Sequence, residues 1–193
     1  ILRPHQIEEV NRAFDALTQG KDFAIFSGTG AGKTMVEISI AVAAIAKAKE
    51  VRRSLGLMDE PGVSIEGAIP QPPLQPVLIV TESDGIINDA FARDSAMLGV
   101  ELWRYRGGEI EPGQEILVAT YTDVARGVVK PEGWQTVIFD EAENLRNQGS
   151  SIQAHRGRKL AESADHVVFA TATPLDKPHG IYYLNSILVN RAG

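Results

Sequence analysis

The chain has 193 residues, enough for one domain with a full hydrophobic core. Hydrophobic residues make up 44% of it and charged residues 23%, which excludes a disordered or fibrous protein. The net charge of −6 excludes a globally basic nucleic-acid module, and the lack of cysteine excludes disulfides and thiolate zinc sites and suits an intracellular protein.

Short apolar runs predict five strands, and stretches with helical spacing lie between them. The predicted strands are Phe23–Phe26, Val77–Val80, Ile116–Ala119, Thr136–Phe139 and His166–Ala170. The predicted helices are Pro4–Leu17, Lys33–Arg53, Gly85–Leu98, Thr122–Val128, Ile152–Ser163 and His179–Val189. Because nearly all-apolar strands that alternate with helices favour a parallel sheet covered on both faces, the pattern predicts an α/β domain.

Residues 56–76 interrupt this alternation, because they contain five of the ten prolines. They predict a long surface loop or insertion, which either serves a function or is merely tolerated. The prolines also exclude a membrane helix in the longest uncharged stretch, residues 67–81. We therefore expect no membrane association.

A glycine-rich turn, SGTGAGKT, follows the first predicted strand and leads into a helix. This is the context that a phosphate-binding P-loop requires. In such a loop Lys33 reaches the β- and γ-phosphates of ATP, and the Thr34 hydroxyl ligates Mg²⁺. The candidate ATP-binding residues are Ser27, Gly28, Thr29, Gly30, Ala31, Gly32, Lys33 and Thr34. The alternative is an ordinary glycine turn at a helix N-terminus, and Ser27 stands where the strict P-loop pattern has glycine.

Two adjacent carboxylates, Asp140 and Glu141, follow the predicted strand Thr136–Phe139. Ligand sites of parallel sheets lie at the carboxyl ends of strands, so both should emerge at the edge that holds the glycine-rich turn. There Asp140 can hold Mg²⁺, and Glu141 can orient or deprotonate the attacking water. Lys33, Asp140 and Glu141 are therefore the catalytic candidates. Helix capping is the alternative role for the two carboxylates.

Two hydroxyl residues, Thr171 and Thr173, follow the predicted strand His166–Ala170. At the carboxyl end of a strand they can sense whether a γ-phosphate is present and transmit this to a bound polymer. The sequence Thr-Ala-Thr-Pro is also common in ordinary turns. The prediction of a sensing role therefore depends on the location of these residues at the end of a strand.

In this order, SGTGAGKT, DEAE and TATP resemble the first RecA-like lobe of a superfamily-2 helicase or translocase. The surrounding segments resemble the Swi/Snf-like branch most closely, and strawberry-notch-like helicases of phages or plasmids share similar short motifs. These segments are LRPHQ, VLIVTESDGIINDAFARD, ILVATYTDVARG, VIFDEAENLRN and ATATPLDKPHGIYYLNSIL. The resemblance covers nearly the whole chain except the proline-rich stretch.

The resemblance implies an ATP hydrolase that uses ATP and Mg²⁺ and couples hydrolysis to movement on nucleic acid. It implies that Gln6 reads the adenine edge and that Glu143, Thr171 and Thr173 serve coupling. It places nucleic-acid contacts after the second and third predicted strands, where hydroxyl groups suit phosphate contacts that ignore base sequence. The candidates there are Thr81, Ser83, Thr120 and Tyr121. Two basic clusters, Arg104 with Arg106 and Arg156 with Arg158 and Lys159, are interpreted as solvated faces.

The family's lobes work in pairs, and the second lobe brings an arginine finger. Few residues follow Pro174, so we expect that lobe to lie outside this chain and the isolated chain to turn over ATP very slowly. The first residue, Ile1, fits an excised fragment. The expected partner is DNA, duplex rather than single-stranded, with RNA left open. Two other hypotheses are a P-loop ATPase or kinase that does not act on nucleic acid and a non-catalytic, nucleotide-gated interaction module.

Overall fold

The computed structural model describes residues 2–26, 32–56, 74–146 and 151–172. Its sheet contains β1 (Phe23–Phe26), β2 (Val77–Thr81), β3 (Trp103–Arg104), β4 (Ile116–Thr120), β5 (Thr136–Phe139) and β6 (His166–Thr171). The strand order is β1-β6-β5-β2-β4-β3, and every pairing is parallel. This confirms the predicted parallel sheet. The sequence did not predict β3, because a strand of two residues is too short to show a hydrophobic pattern.

The helices also follow the prediction closely. They are α1 (Pro4–Thr18), α2 (Lys33–Ser54), α3 (Asp84–Ile86), α4 (Ala92–Leu98), α5 (Tyr121–Arg126) and α6 (Ile152–Ser163). A π-helical turn, Ile87–Phe91, joins α3 to α4, and a 3₁₀ turn, Ala142–Leu145, follows β5. The predicted helix His179–Val189 and most of the proline-rich stretch lie outside the described residues. None of the described helices combines the length and the apolar character needed to cross a lipid bilayer.

Two apolar cores cover the two faces of the sheet. Alternate side chains of a strand point to opposite faces, so Leu78 and Val80 of β2 join one core and Val77 and Ile79 join the other. The first core lies under α5 and α6, and the second lies under α1 and α2. All five β2 residues are buried, as expected of a parallel strand covered on both faces.

The parallel register brings the carboxyl ends of the strands to one edge of the sheet. Thr81 at the end of β2 pairs with Thr120 at the end of β4, and Phe26 of β1 pairs with Thr171 of β6. The loops that carry the predicted site residues therefore leave the sheet side by side.

Candidate active site

The candidate site begins at the N-terminus of α2. Gly32 caps this helix with φ +77, a left-handed conformation that glycine adopts without steric strain. Lys33 and Thr34 occupy the first turn and are half-buried. Residues 27–31 lie outside the described residues, so phosphate binding by Ser27, Gly28, Thr29, Gly30 and Ala31 stays a prediction.

The ammonium group of Lys33 lies against the two carboxylates that follow β5. Its Nζ atom contacts Oε1 of Glu141 and lies 4.0 Å from Oδ1 of Asp140. The side chains of Lys33 and Asp140 are 10% and 9% exposed, so their charges interact with little screening by water. The fold thus brings together the three residues that the sequence analysis named as catalytic candidates.

Two neighbouring groups hold Asp140 in place. The Thr81 hydroxyl, at the end of β2, donates a hydrogen bond of 2.7 Å to Oδ2 of Asp140. The Tyr121 hydroxyl, at the start of α5, donates one of 2.8 Å to the Asp140 backbone carbonyl. The Tyr121 ring stacks on Phe139, with ring centroids 6.3 Å apart. The metal-ligand candidate is therefore fixed through both its side chain and its backbone.

Glu141 has an unusual backbone conformation. Its φ is +47, and among the described residues it is the one non-glycine residue in the left-handed region. Such a conformation costs about 1–3 kcal/mol and is typical of functional sites. Burial raises the pKa of Glu141; the neighbouring Glu143 carboxylate raises it further, while the hydrogen bond from Lys33 lowers it. A raised pKa makes the carboxylate a better proton acceptor.

Two of the three residues proposed to couple hydrolysis to movement, Glu143 and Thr171, are hydrogen-bonded to each other. Thr171, at the end of β6, is fully buried, and its hydroxyl donates a hydrogen bond to Oε2 of Glu143. The strand that leads into the TATP segment is therefore linked to the acidic segment. Thr173 lies outside the described residues, and its coupling role stays a prediction.

Gln6 packs against the glycine that ends the glycine-rich turn. Its Oε1 accepts a hydrogen bond of 2.7 Å from the Arg3 N–H, and its Nε2 donates one of 3.2 Å to the Gly32 carbonyl. The residue is 4% exposed. The structure thus ties the start of α1 to the end of the glycine-rich turn, while adenine reading by Gln6 stays a prediction.

Gly32→Ala is expected to weaken ATP binding. A Cβ atom at position 32 would lie 2.4 Å from Nε2 of Gln6, at a φ of +77 that L side chains rarely adopt. We expect roughly 1–2 kcal/mol of backbone strain, together with displacement of Gln6 from the turn. Titration with a fluorescent ATP analogue measures the affinity, and thermal unfolding measures the strain.

Gly20→Ala is the matched control for that substitution. Gly20 has φ +70, and a Cβ atom there would meet nothing within 4 Å. This variant should show a similar loss of stability with unchanged ATP affinity. Wild-type ATP affinity in Gly32→Ala would show that the contact between Gln6 and Gly32 does not support the site.

Three of the four nucleic-acid candidates have buried side chains. The Thr81 and Tyr121 hydroxyls donate to Asp140, and the Thr120 hydroxyl donates to Oδ2 of Asp123 at 2.7 Å. Ser83 is exposed, and its Oγ accepts a hydrogen bond from the Ile86 N–H at the start of α3. In this conformation Thr81 and Tyr121 support the acidic motif, and Ser83 is the candidate that lies at the surface.

The two basic clusters differ from each other. Contrary to the sequence-based interpretation, Arg104 does not belong to a solvated face. Its side chain is only 19% exposed, and it forms ion pairs with Asp84 and Asp123. Arg106 is 67% exposed, as the interpretation of a solvated face predicts. In the second cluster Arg156 and Lys159 are exposed and Arg158 is half-buried.

Glu37 is the residue of this site that the sequence analysis missed. It lies one turn after Lys33 on α2, is 0% exposed, and accepts no hydrogen bond through either carboxylate oxygen. Burial raises its pKa well above the ordinary value, and the charge of the adjacent Asp140 raises it further. These effects favour a neutral carboxyl group, which can donate a hydrogen bond to Asp140. The available signal was a lone charge in the otherwise uncharged stretch 35–45.

The residues at this edge fit Mg²⁺. The Thr34 hydroxyl and the Asp140 carboxylate offer oxygen ligands, and next to Asp140 lies the buried carboxyl group of Glu37, whose two oxygens accept no hydrogen bond. Across the described ranges, no three His, Cys, Asp or Glu residues form a group that could hold a metal ion. Mg²⁺ in nucleotide-binding sites takes one or two carboxylates and completes its shell with phosphates and water, which this arrangement permits.

Glu37→Gln is expected to stabilise the chain at neutral pH when nucleotide and Mg²⁺ are absent. The raised pKa of Glu37 means that the folded state keeps a proton that the unfolded state releases above the ordinary value of 4.5. The free energy of unfolding then falls as pH rises above that value, by at most about 1.4 kcal/mol per pH unit. Glutamine removes this loss, so the stabilisation should be present at pH 7.5 and absent at pH 4. Denaturant unfolding at the two pH values measures it.

Glu8→Gln, on the exposed side of α1, is the matched control, since it removes a charge without changing a buried group. It should leave the difference between the two pH values unchanged. A Glu37→Gln variant less stable than wild type at pH 7.5 would show that Glu37 is charged and paired in the folded chain.

Comparison with solved structures finds the same fold in an ATPase core and in a helicase domain, among other proteins. The SWI2/SNF2 ATPase core of Sulfolobus solfataricus superposes with a TM-score of 0.66 at 17% identity, and the Hef helicase domain of Pyrococcus furiosus with 0.63 at 18% identity. Each match covers 97% of this chain, which spans 36% of the length of either protein. No protein-family model and no curated protein matches the sequence. The chain therefore has the RecA-like α/β fold that the sequence resemblance implied.

Proposed function

We propose that this chain is the ATP-binding lobe of a nucleic-acid-dependent ATPase, a helicase or translocase that couples ATP hydrolysis to movement on DNA. The observation that carries the proposal is the cluster of Lys33, Asp140 and Glu141 at the carboxyl edge of a parallel sheet, next to a glycine-rich turn. The likeness to an ATPase core solved in complex with double-stranded DNA supports DNA as the partner. A second RecA-like lobe in the full-length protein belongs to the same proposal.

Lys33 links substrate binding to the activation of Glu141. Its ammonium group contacts Glu141 in this structure, and in the proposal it is also the cation that binds the phosphates of ATP. The hydrogen bond from Lys33 lowers the pKa of Glu141, so transfer of Lys33 to the phosphates makes Glu141 more basic. Glu141 therefore becomes a stronger proton acceptor for the attacking water once substrate is in place.

Thr34 and Asp140 are the residues that would hold Mg²⁺. When bound, this ion neutralises the charge that develops on the phosphate oxygens. The hydrogen bond from Thr81 keeps one oxygen of Asp140 fixed, while the other faces Lys33. Through Thr171 and Glu143, the acidic segment is joined to β6, which gives a physical route for coupling to the TATP segment.

The test is ATP hydrolysis by the full-length protein without polymer and with duplex DNA, single-stranded DNA or RNA. We expect the largest stimulation with duplex DNA. Equal rates under all four conditions would favour a P-loop enzyme that does not act on nucleic acid. ATP binding without any hydrolysis would favour a nucleotide-gated interaction module.

A further inference from the structure

Arg104, at the end of β3, joins two separate segments at the carboxyl edge of the sheet. Its Nε donates a hydrogen bond of 2.6 Å to Oδ1 of Asp84, and its Nη2 donates one of 2.6 Å to Oδ2 of Asp123. Its Nη1 donates to the backbone carbonyls of Tyr105 and Val118. The guanidinium group is therefore held by four acceptors in a fixed orientation.

The two aspartates belong to the segments on which the sequence resemblance implies nucleic-acid contacts. Asp84 follows Ser83 directly after β2. Asp123 accepts hydrogen bonds from the N–H group and the hydroxyl of Thr120, at 2.9 and 2.7 Å, directly after β4. One guanidinium group thus bridges the two segments just beyond the point where the paired strands β2 and β4 end.

Arg104 also offsets negative charge at this edge. Its hydrogen bond is the main cause that lowers the pKa of Asp84. Burial alone would raise the pKa of Asp123, but hydrogen bonds from Thr120 and Arg104 lower it. Both aspartates are therefore ionised, and uncompensated they would repel a phosphate backbone. Arg106, 3.3 Å from Asp84 and largely exposed, adds a second positive charge.

We propose that Arg104 is a positioning residue of the nucleic-acid site, which locks segments 81–84 and 120–123 at the spacing needed to follow one phosphate backbone. This inference rests on the proposed function. Arginine suits the role because its planar fork can bond two carboxylates at once, whereas the lysine ammonium is a single flexible point charge. The sequence alone does not indicate this, since the partners lie 20 and 19 residues from Arg104 along the chain.

The test compares Arg104→Lys with wild type in the full-length protein. The duplex DNA concentration that gives half-maximal ATPase stimulation should rise roughly tenfold, as loss of a charged hydrogen bond predicts, with a much smaller change in the KM for ATP. Arg158→Lys, which alters an ion-paired arginine on α6, should behave as wild type. An equal rise in both constants, or none in either, would overturn the proposal.

A second variant, Asp84→Asn, distinguishes a positioning role of Arg104 from a simple effect of charge. It also keeps the proposal testable if Arg104→Lys fails to fold. The Asp84 side chain is 45% exposed, so its replacement leaves the core intact. Because this variant leaves Arg104 with a neutral amide acceptor in place of a carboxylate, it weakens one arm of the lock, and we expect weaker DNA stimulation even though a negative charge is lost. Stronger stimulation would show that charge alone governs this edge and would overturn the proposal. If DNA does not stimulate ATP hydrolysis by the wild-type protein, both the proposed function and this inference fail. If DNA stimulates wild type and Arg104→Lys equally, at the same DNA concentrations, this inference alone is refuted.

Discussion

Glutamine in place of Glu141 is expected to leave ATP binding near the wild-type level and to lower turnover by roughly 10²- to 10⁴-fold, the contribution typical of a general base. The amide keeps the shape of the carboxylate and an oxygen that can accept a hydrogen bond from Lys33. It cannot take a proton from the attacking water at that oxygen. Single-turnover hydrolysis measures the rate, and titration with a fluorescent ATP analogue measures the affinity.

Glu109→Gln, at an exposed position of the loop between β3 and β4, is the control for the change in charge. It should retain both binding and turnover. Normal turnover by Glu141→Gln would show that Glu141 is not the general base. It would favour a capping role instead, since Glu141 also occupies the cap position of the 3₁₀ turn that follows.

Lys33→Ala is expected to remove most of the ATP affinity. The variant loses a charge-assisted hydrogen bond to the phosphates, which corresponds to roughly 10- to 150-fold in the dissociation constant. It also leaves Asp140 and Glu141 without the cation that now lies against them, and their uncompensated charges would repel a triphosphate, so the loss should reach at least the upper part of that range. Isothermal titration with ATP and Mg²⁺ gives the dissociation constant directly.

Lys47→Ala tests whether any lysine on α2 has the same effect. Lys47 is 38% exposed and pairs with Glu50 near the far end of the helix. This variant should bind ATP as wild type does. Equal losses in the two variants would point to general damage to α2 rather than to a phosphate contact of Lys33.

The fold could be predicted from the sequence because its strands are short apolar runs between well-marked helices. Nothing in that pattern indicates β3, whose two residues pair with β4. The π-helical turn was also missed. It lies inside a stretch that has ordinary helical spacing, and it carries Phe91 into the core under α2.

The clustering of the three catalytic candidates could be predicted because strand ends in a parallel sheet converge, so Asp140 and Glu141 had to meet Lys33 at one edge. The directions of individual side chains could not be predicted. Thr81 and Tyr121 lie at the carboxyl ends of strands as expected, yet their hydroxyl groups point inward and donate hydrogen bonds to Asp140. From the sequence, Arg104 is interpreted as a charge on a solvated surface. Its two carboxylate partners, Asp84 and Asp123, become visible in the folded structure.

The most direct test of the central claim is steady-state ATP hydrolysis by the full-length protein at saturating ATP and Mg²⁺ while duplex DNA is titrated, with Glu141→Gln measured in parallel. The proposed function predicts that the wild-type rate rises with DNA to a plateau and that Glu141→Gln stays near background throughout. A wild-type rate independent of DNA, or an equal rise in Glu141→Gln, would contradict it.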